Sequence, residues 1–189
     1  MTQPGTIVLL NGASSSGKTS LLKALQARLT EPYLDAGIDR FIWMLPERWL
    51  ERPLWDDVLG LATEAGEEGR RLFSGMHRAI AELSRAGNNV LADHVLVEPV
   101  WVSECAELFS DLPAYLIGVR CPLEVLVERE RARRNRTLGQ AAAQFPVVHA
   151  YCQYDFEVDT SRYNVDECAE QVADFLASGT PPRALRFLL

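Results

Sequence analysis

A three-layer α/β fold is predicted by three features of the 189-residue sequence. Short runs of aliphatic and β-branched residues recur between segments of helical periodicity. Those runs are apolar throughout rather than alternating, as strands covered on both faces are. The first of them is followed by a glycine-rich turn and a helix, the unit from which parallel sheets are built. Together they predict a parallel sheet of about five strands with helices on both faces. Crossovers in such a sheet are right-handed, and ligands gather at the carboxyl ends of the strands.

In order along the chain, Thr6–Asn11 (TIVLLN) is a fully buried strand that stops at glycine. Thr19–Leu29 carries Leu21, Leu22, Leu25 and Leu29 at helical spacing. Tyr33–Asp35 is a short strand. Glu67–Arg85 is an amphipathic helix that ends before Gly87, Val90–Asp93 a buried strand, and Ser103–Ser110 a short helix. Ala114–Val119 is the next strand, and a charged helix runs from beyond Pro122 to about residue 134. Ala141–Ala150 reads as helical, Phe156–Asp159 as a strand and Val165–Leu176 as the last helix. Residues 178–189 hold Pro181 and Pro182 and form a tail whose Leu185, Phe187, Leu188 and Leu189 can dock on the body.

Composition excludes several classes. The net charge of −7 argues against a general nucleic-acid binder, which needs a basic face for phosphates. No apolar run approaches a membrane span, and the amino-terminal residues do not have the pattern of a signal peptide, so the expectation is a cytoplasmic protein with no membrane partner. Cys105, Cys121, Cys152 and Cys168 are widely spaced, and His77, His94 and His149 are scattered. Reduced thiols and no metal cluster of these residues are expected.

The turn after the first strand, Gly12-Ala13-Ser14-Ser15-Ser16-Gly17-Lys18-Thr19, fits GxxxxGK[ST] without a mismatch. Glycines let successive N–H groups curl toward phosphate oxygens, and the helix start adds its positive dipole end. Lys18 reaches the terminal phosphates, and Thr19 can place its hydroxyl on Mg²⁺. ATP and Mg²⁺ are therefore the expected cofactors. Phosphoryl transfer further needs a carboxylate for the metal, cations over the transferred group and a base for the acceptor. Asp93, at the end of Val90-Leu91-Ala92, suits the metal side, or caps a loop. Asp39 suits the base, or caps the helix that starts at Arg40; Asp35 is a weaker candidate. Arg129, Arg133 and Arg136 recur at i, i+4, i+7 in ERERARRNR, as in a lid over phosphates or in a solvated helix. Arg120 is a further candidate nucleotide contact. Trp43, Trp49 and Trp55, with Met44 among them, suggest an apolar acceptor pocket; core or dimer packing would use the same residues, so homo-oligomerisation stays open.

These residues form a set. Leu10–Ser20, Gly37-Ile38-Asp39, Val90–Val95 (VLADHV), Gly118–Cys121 (GVRC), Glu128–Arg136, Val147-Val148-His149 and Tyr154–Thr160 (YDFEVDT) resemble the chloramphenicol phosphotransferases and their relatives. The resemblance runs from near residue 6 to about residue 176. It implies a P-loop kinase domain over residues 1–177, with an acceptor segment near 40–70, an arginine lid near 122–140, and a tail over 178–189. It implies ATP-dependent phosphorylation of a small-molecule hydroxyl, chloramphenicol or a similar antibiotic, as a means of resistance. It places Asp39 as base, Gly12–Thr19 as phosphate loop, and Arg133 and Arg136 near the transferring phosphate. Two departures bear on the acceptor. His94 stands where the family has a second aspartate, and the tryptophan-rich stretch to about residue 70 matches poorly. A nucleotide or metabolite kinase, or a nucleotide-binding switch without kinase activity, are the competing readings.

Overall fold

The computed structural model describes residues 3–47, 66–132 and 138–188. Five strands form one parallel sheet: β1 (Ile7–Asn11), β2 (Tyr33–Asp35), β3 (Asn89–His94), β4 (Ala114–Arg120) and β5 (Phe156–Asp159), in the order β2-β3-β1-β4-β5. Chain order is left at β1, which sits in the middle with β3 on one side and β4 on the other. Its carboxyl end is therefore the sheet's topological switch point, where such folds bind ligands.

The all-apolar strands serve two cores. Ile7, Leu9, Val90, Ala92, Ala114 and Leu116 face one side, against Phe73, Met76 and Ile80 of α3 (Gly66–Arg85) and Trp101, Val102 and Cys105 of α4 (Pro99–Leu108). Val8, Leu10, Leu91, Ile117, Val119 and Val158 face the other, against Leu21, Leu22 and Leu25 of α1 (Lys18–Arg28) and Cys168, Ala169 and Val172 of α7 (Val165–Ala177). Each large side chain so buried contributes about 1.5–3 kcal/mol. The period of two therefore decides which residues at the strand ends face the phosphate loop.

The remaining elements are α2 (Ile38–Ile42), α5 (Leu123–Ala132), α6 (Gln140–Gln144) and a 3-10 turn at Leu185–Leu188. Two expectations are corrected. The helix after β3 starts at Pro99, not Ser103, because a proline with no N–H to satisfy suits a first helical position. The stretch expected to be helical to Ala150 is α6 followed by turns, since Pro146 cannot donate a continuing helical bond. Glu130 is 2% exposed, and its carboxylate accepts the Gly139 and Ala141 N–H groups at 2.8 and 2.9 Å. That clamp joins α6 to α5. The tail is docked: Asp155 accepts the N–H groups of Leu116, Arg183 and Ala184 at 2.8, 2.6 and 2.9 Å, and Leu185 is buried while Phe187 is exposed.

Candidate active site

The loop between β1 and α1 has the backbone that its glycines and serines require. Gly17 adopts φ +90°, and Ser15, at φ +64°, is the non-glycine residue with positive φ among the described residues. The Ser15 and Ser16 hydroxyls are buried and find no partner among the described residues, so the loop's interior carries polar groups that a phosphate ester would satisfy. Lys18, 7% exposed, donates from Nζ to the Ala13 carbonyl at 2.8 Å, folded back along the loop it belongs to. The residues present fit a nucleotide's phosphates.

Across from the loop, Thr19 Oγ1 donates to Asp93 Oδ2 at 2.6 Å. A hydroxyl and a carboxylate at that spacing, both oxygen donors, suit Mg²⁺. Asp93 shares the face of β3 used by Leu91, which looks toward α1.

Asp39 lies in the first turn of α2, which is capped by Gly37 with no side-chain hydrogen bond. The capping alternative for Asp39 is therefore set aside. Gly37 lies against the Asp93 carboxylate: a Cβ there would overlap Asp93 Oδ1 and lie 3.3 Å from Asp35 Oδ1. The turn carrying Asp39 thus passes beside the Asp93 carboxylate and leaves no room for a Cβ unless that carboxylate shifts. One cleft is accordingly lined by Ser14, Lys18, Thr19, Asp39, Asp93 and Gln144. Asp35 stands outside it, accepting the Gly37 N–H and both an Nε and an Nη hydrogen bond from Arg40.

A second cleft opens on the other side of the loop, between Ser15, Gly17 and Leu21 and the segment Tyr163–Val165. Its wall is built by Thr160, whose hydroxyl donates to the Ser16 carbonyl at 2.8 Å and accepts from Arg129 at 3.0 Å. Arg129 also donates to the Thr160 carbonyl at 2.7 Å. It thus braces the phosphate loop. Arg133 and Arg136, with Trp49 and Trp55, lie outside the described residues. Trp43, the C-cap of α2, and Met44 after it follow Asp39 by about one turn and are 62% and 70% exposed. Arg120 pairs with Glu157 at 2.9 Å and lies over the Tyr154 ring.

His94 points away from the cleft, because neighbours on β3 alternate faces. Fully buried beside Phe73 and Trp101, its Nδ1 accepts the Val95 N–H at 2.7 Å. The ring proton is then on Nε2 and is donated to His77 Nε2 at 2.9 Å, so His77 donates from Nδ1 to Glu104 at 2.8 Å. Burial, with His77 beside it, pushes His94 well below the ordinary histidine range, and the His77 hydrogen bond holds the Glu104 carboxyl below its own. With one ring nitrogen accepting and the other carrying the proton, His94 has no lone pair for a metal. No group of three metal-binding side chains occurs among the described residues.

Sequence reasoning missed Gln144, Glu130, Thr160 and Asn11. Asn11 ends β1, accepts the Leu96 N–H at 2.8 Å, and donates to the Val148 carbonyl and the Tyr154 hydroxyl at 2.7 and 2.8 Å. Only a polar residue closing an otherwise apolar run pointed to it.

Family comparison agrees with this geometry. The model of the chloramphenicol phosphotransferase-like proteins matches residues 5–177. The chain belongs to that family. Over 197 aligned residues it is 33% identical to a Mycobacterium tuberculosis protein named "Putative O-phosphotransferase Rv2636", covering 97% of this chain and 88% of that one. Among solved structures it is similar to a sugar kinase from Janibacter, at TM-score 0.69 and 17% identity over 93% of this chain and 96% of that one. It is similar also to the Mycobacterium tuberculosis APS kinase CysC, at TM-score 0.59 and 17% identity over 92% and 98%. The fold is that of P-loop kinases. Like its family, the chain is an ATP-dependent, kinase-type O-phosphotransferase. None of the helices among the described residues is long and apolar enough to cross a membrane.

Proposed function

We propose that this protein transfers the terminal phosphoryl group of ATP to a hydroxyl of a small, largely apolar alcohol, with chloramphenicol or a similar antibiotic as the leading acceptor. The observation that carries this reading is the single cleft in which Lys18, Thr19 and Asp93 meet Asp39. A nucleotide switch needs the first three; an acceptor base beside them is what a transferase adds.

In this mechanism the loop N–H groups and Lys18 hold the phosphates and offset their charge. Thr19 and Asp93 would hold Mg²⁺, which when bound supplies charge neutralisation to the phosphates. Asp39 accepts the acceptor's hydroxyl proton as the acceptor oxygen bonds to the terminal phosphorus. The bond from that phosphorus to the bridging oxygen breaks, and ADP leaves with the bridging oxygen's electron pair. Arg133 and Arg136 offset charge on the phosphoryl group in flight. Trp43 and Met44, exposed just after the helix that carries Asp39, are, with Trp49 and Trp55 of the same sequence segment, the apolar residues that would receive the acceptor. Inactivation of an antibiotic by a phosphate ester would make the protein a resistance factor.

The test is ADP formation in the presence of ATP and Mg²⁺ with a panel of acceptors: chloramphenicol, other primary alcohols, sugars and nucleoside monophosphates. Turnover with a neutral aromatic alcohol is expected. Turnover confined to sugars or nucleoside monophosphates moves the protein to a metabolite or nucleotide kinase, and ATP binding without any acceptor moves it to a switch.

A further inference from the structure

We propose that Thr160 is a positioning residue for nucleotide binding, its hydroxyl setting the Ser16–Gly17 peptide so that the Gly17 N–H faces the nucleotide's phosphates. The proposal rests on the reading of Gly12–Thr19 as the phosphate loop.

A loop that holds phosphate through backbone N–H groups works only if its peptide planes are turned toward the ligand. The Ser16–Gly17 plane is not set by regular structure. Ser15 and Gly17 have φ of +64° and +90°, and α1 starts only at Lys18. What holds this plane is Thr160, whose hydroxyl donates to the Ser16 carbonyl at 2.8 Å. None of the described peptides is cis, and a trans peptide carries its C=O and N–H on opposite sides. With the Ser16 carbonyl turned out to Thr160, the Gly17 N–H is turned the other way, in toward the ring of the loop.

The direction of the hydroxyl's own proton is also decided. Arg129 donates to Thr160 Oγ1 at 3.0 Å, and a guanidinium has no acceptor to offer in return. Two carbonyls are left as acceptors, Ser16 at 2.8 Å and Arg120 at 3.4 Å, and the nearer belongs to the loop. The backbone of Thr160 is tied down as well. Its N–H donates to the Arg120 carbonyl at 3.1 Å, and its carbonyl accepts from Arg129 at 2.7 Å. The side chain packs on the loop, since a Cβ on Gly17 would lie 3.7 Å from Thr160 Cγ2. A donor oriented before the ligand arrives raises affinity by removing the cost of ordering it.

Two substitutions separate the hydroxyl from the packing. Thr160→Val removes the hydroxyl and keeps the shape; Thr160→Ser keeps the hydroxyl and drops the methyl. Wild type and variants are melted and titrated with ADP and Mg²⁺, by calorimetry and by following the Gly17 amide resonance in two-dimensional NMR spectra. In the wild type the Gly17 amide proton is expected to move downfield as ADP saturates. Thr160→Ser should keep that movement and bind ADP within about twofold of wild type, because its hydroxyl still donates to Ser16. Thr160→Val should lose about half of the movement or more and bind ADP about fivefold or more weaker. Its Tm should stay within about 4 °C of the serine variant's. Thr160→Ala against Thr160→Ser repeats the comparison where the valine variant does not fold. A valine variant that matches wild type in both readouts overturns the proposal. So does an equal loss in valine and serine variants, which marks a packing role, and so does a Gly17 amide that stays still while wild type binds ADP. A folded wild-type protein that binds no ADP fails the phosphate-loop reading itself and takes the proposal with it.

Discussion

Replacing Asp39 with asparagine should separate chemistry from folding. The change keeps the side chain's shape and removes its capacity to accept a proton. Loss of a positioned general base costs about 10²–10⁴-fold in rate, or about 2.7–5.4 kcal/mol on the barrier. Gly37, not Asp39, caps α2, so asparagine does not remove the helix cap, and the first-turn charge it removes is worth about 0.3–1 kcal/mol. For a chain of this size 1 kcal/mol moves Tm by about 2–4 °C. Steady-state kinetics with the best acceptor from the panel should therefore show kcat down at least 100-fold. Calorimetric ADP affinity should stay unchanged, and Tm should fall by no more than about 4 °C. Turnover close to wild type, or a fall in rate matched by a fall of about 10 °C or more, would refute the assignment.

Three further outcomes follow from the same geometry. Lys18→Ala should leave the fold intact and remove nearly all transfer, because no other described cation lines the cleft; phosphorylated product at the wild-type rate would rule out the loop's role. Gly37→Ala puts a methyl group where Asp93 Oδ1 now lies, so the carboxylate must shift; the Mg²⁺ concentration for half-maximal activity should rise several-fold, and an unchanged Mg²⁺ requirement would count against Asp93 as the metal-side residue. His149 is pushed down to about 4 by burial, with the Arg120 guanidinium adding to it. The unfolded chain takes up this proton as pH falls through about 6.5 and the folded chain only near 4, so His149 costs the fold stability progressively across that window as pH falls. Its ring resonances should stay those of neutral imidazole from pH 8 to about 5 in an NMR titration; a midpoint near 6.5 would contradict the environment described.

Most of the scaffold was legible in the sequence because strands buried on both faces leave unbroken apolar runs. Ile7–Asn11, Asn89–His94 and Ala114–Arg120 are such runs, and their ends place Asp93 and Asn11 at the ligand side of the sheet. The phosphate loop was legible for a different reason: its chemistry depends on backbone N–H groups and a few residues contiguous in sequence, Gly12 to Thr19. Asp39 could be singled out as a candidate, but capping and catalysis use the same residue type at a helix start. Gly37 as the cap of α2 removes the first of these for Asp39.

What local sequence could not encode are contacts between distant segments. Gln144 reads as one polar residue of a short helix until the Glu130 clamp carries it to Ser14. Arg129 reads as one arginine of a stripe until Thr160, on the far side of β5, takes its hydrogen bonds. His94 reads as a changed residue beside the metal-side carboxylate, yet the strand's alternation turns it to the opposite face, where His77 and Glu104 complete its hydrogen bonds. Propensity and periodicity act over a few residues and so fix the strands, helices and loop. Which buried polar groups satisfy one another depends on the packing of segments up to 144 residues apart, as Thr160 and Ser16 are, and that only the tertiary structure decides.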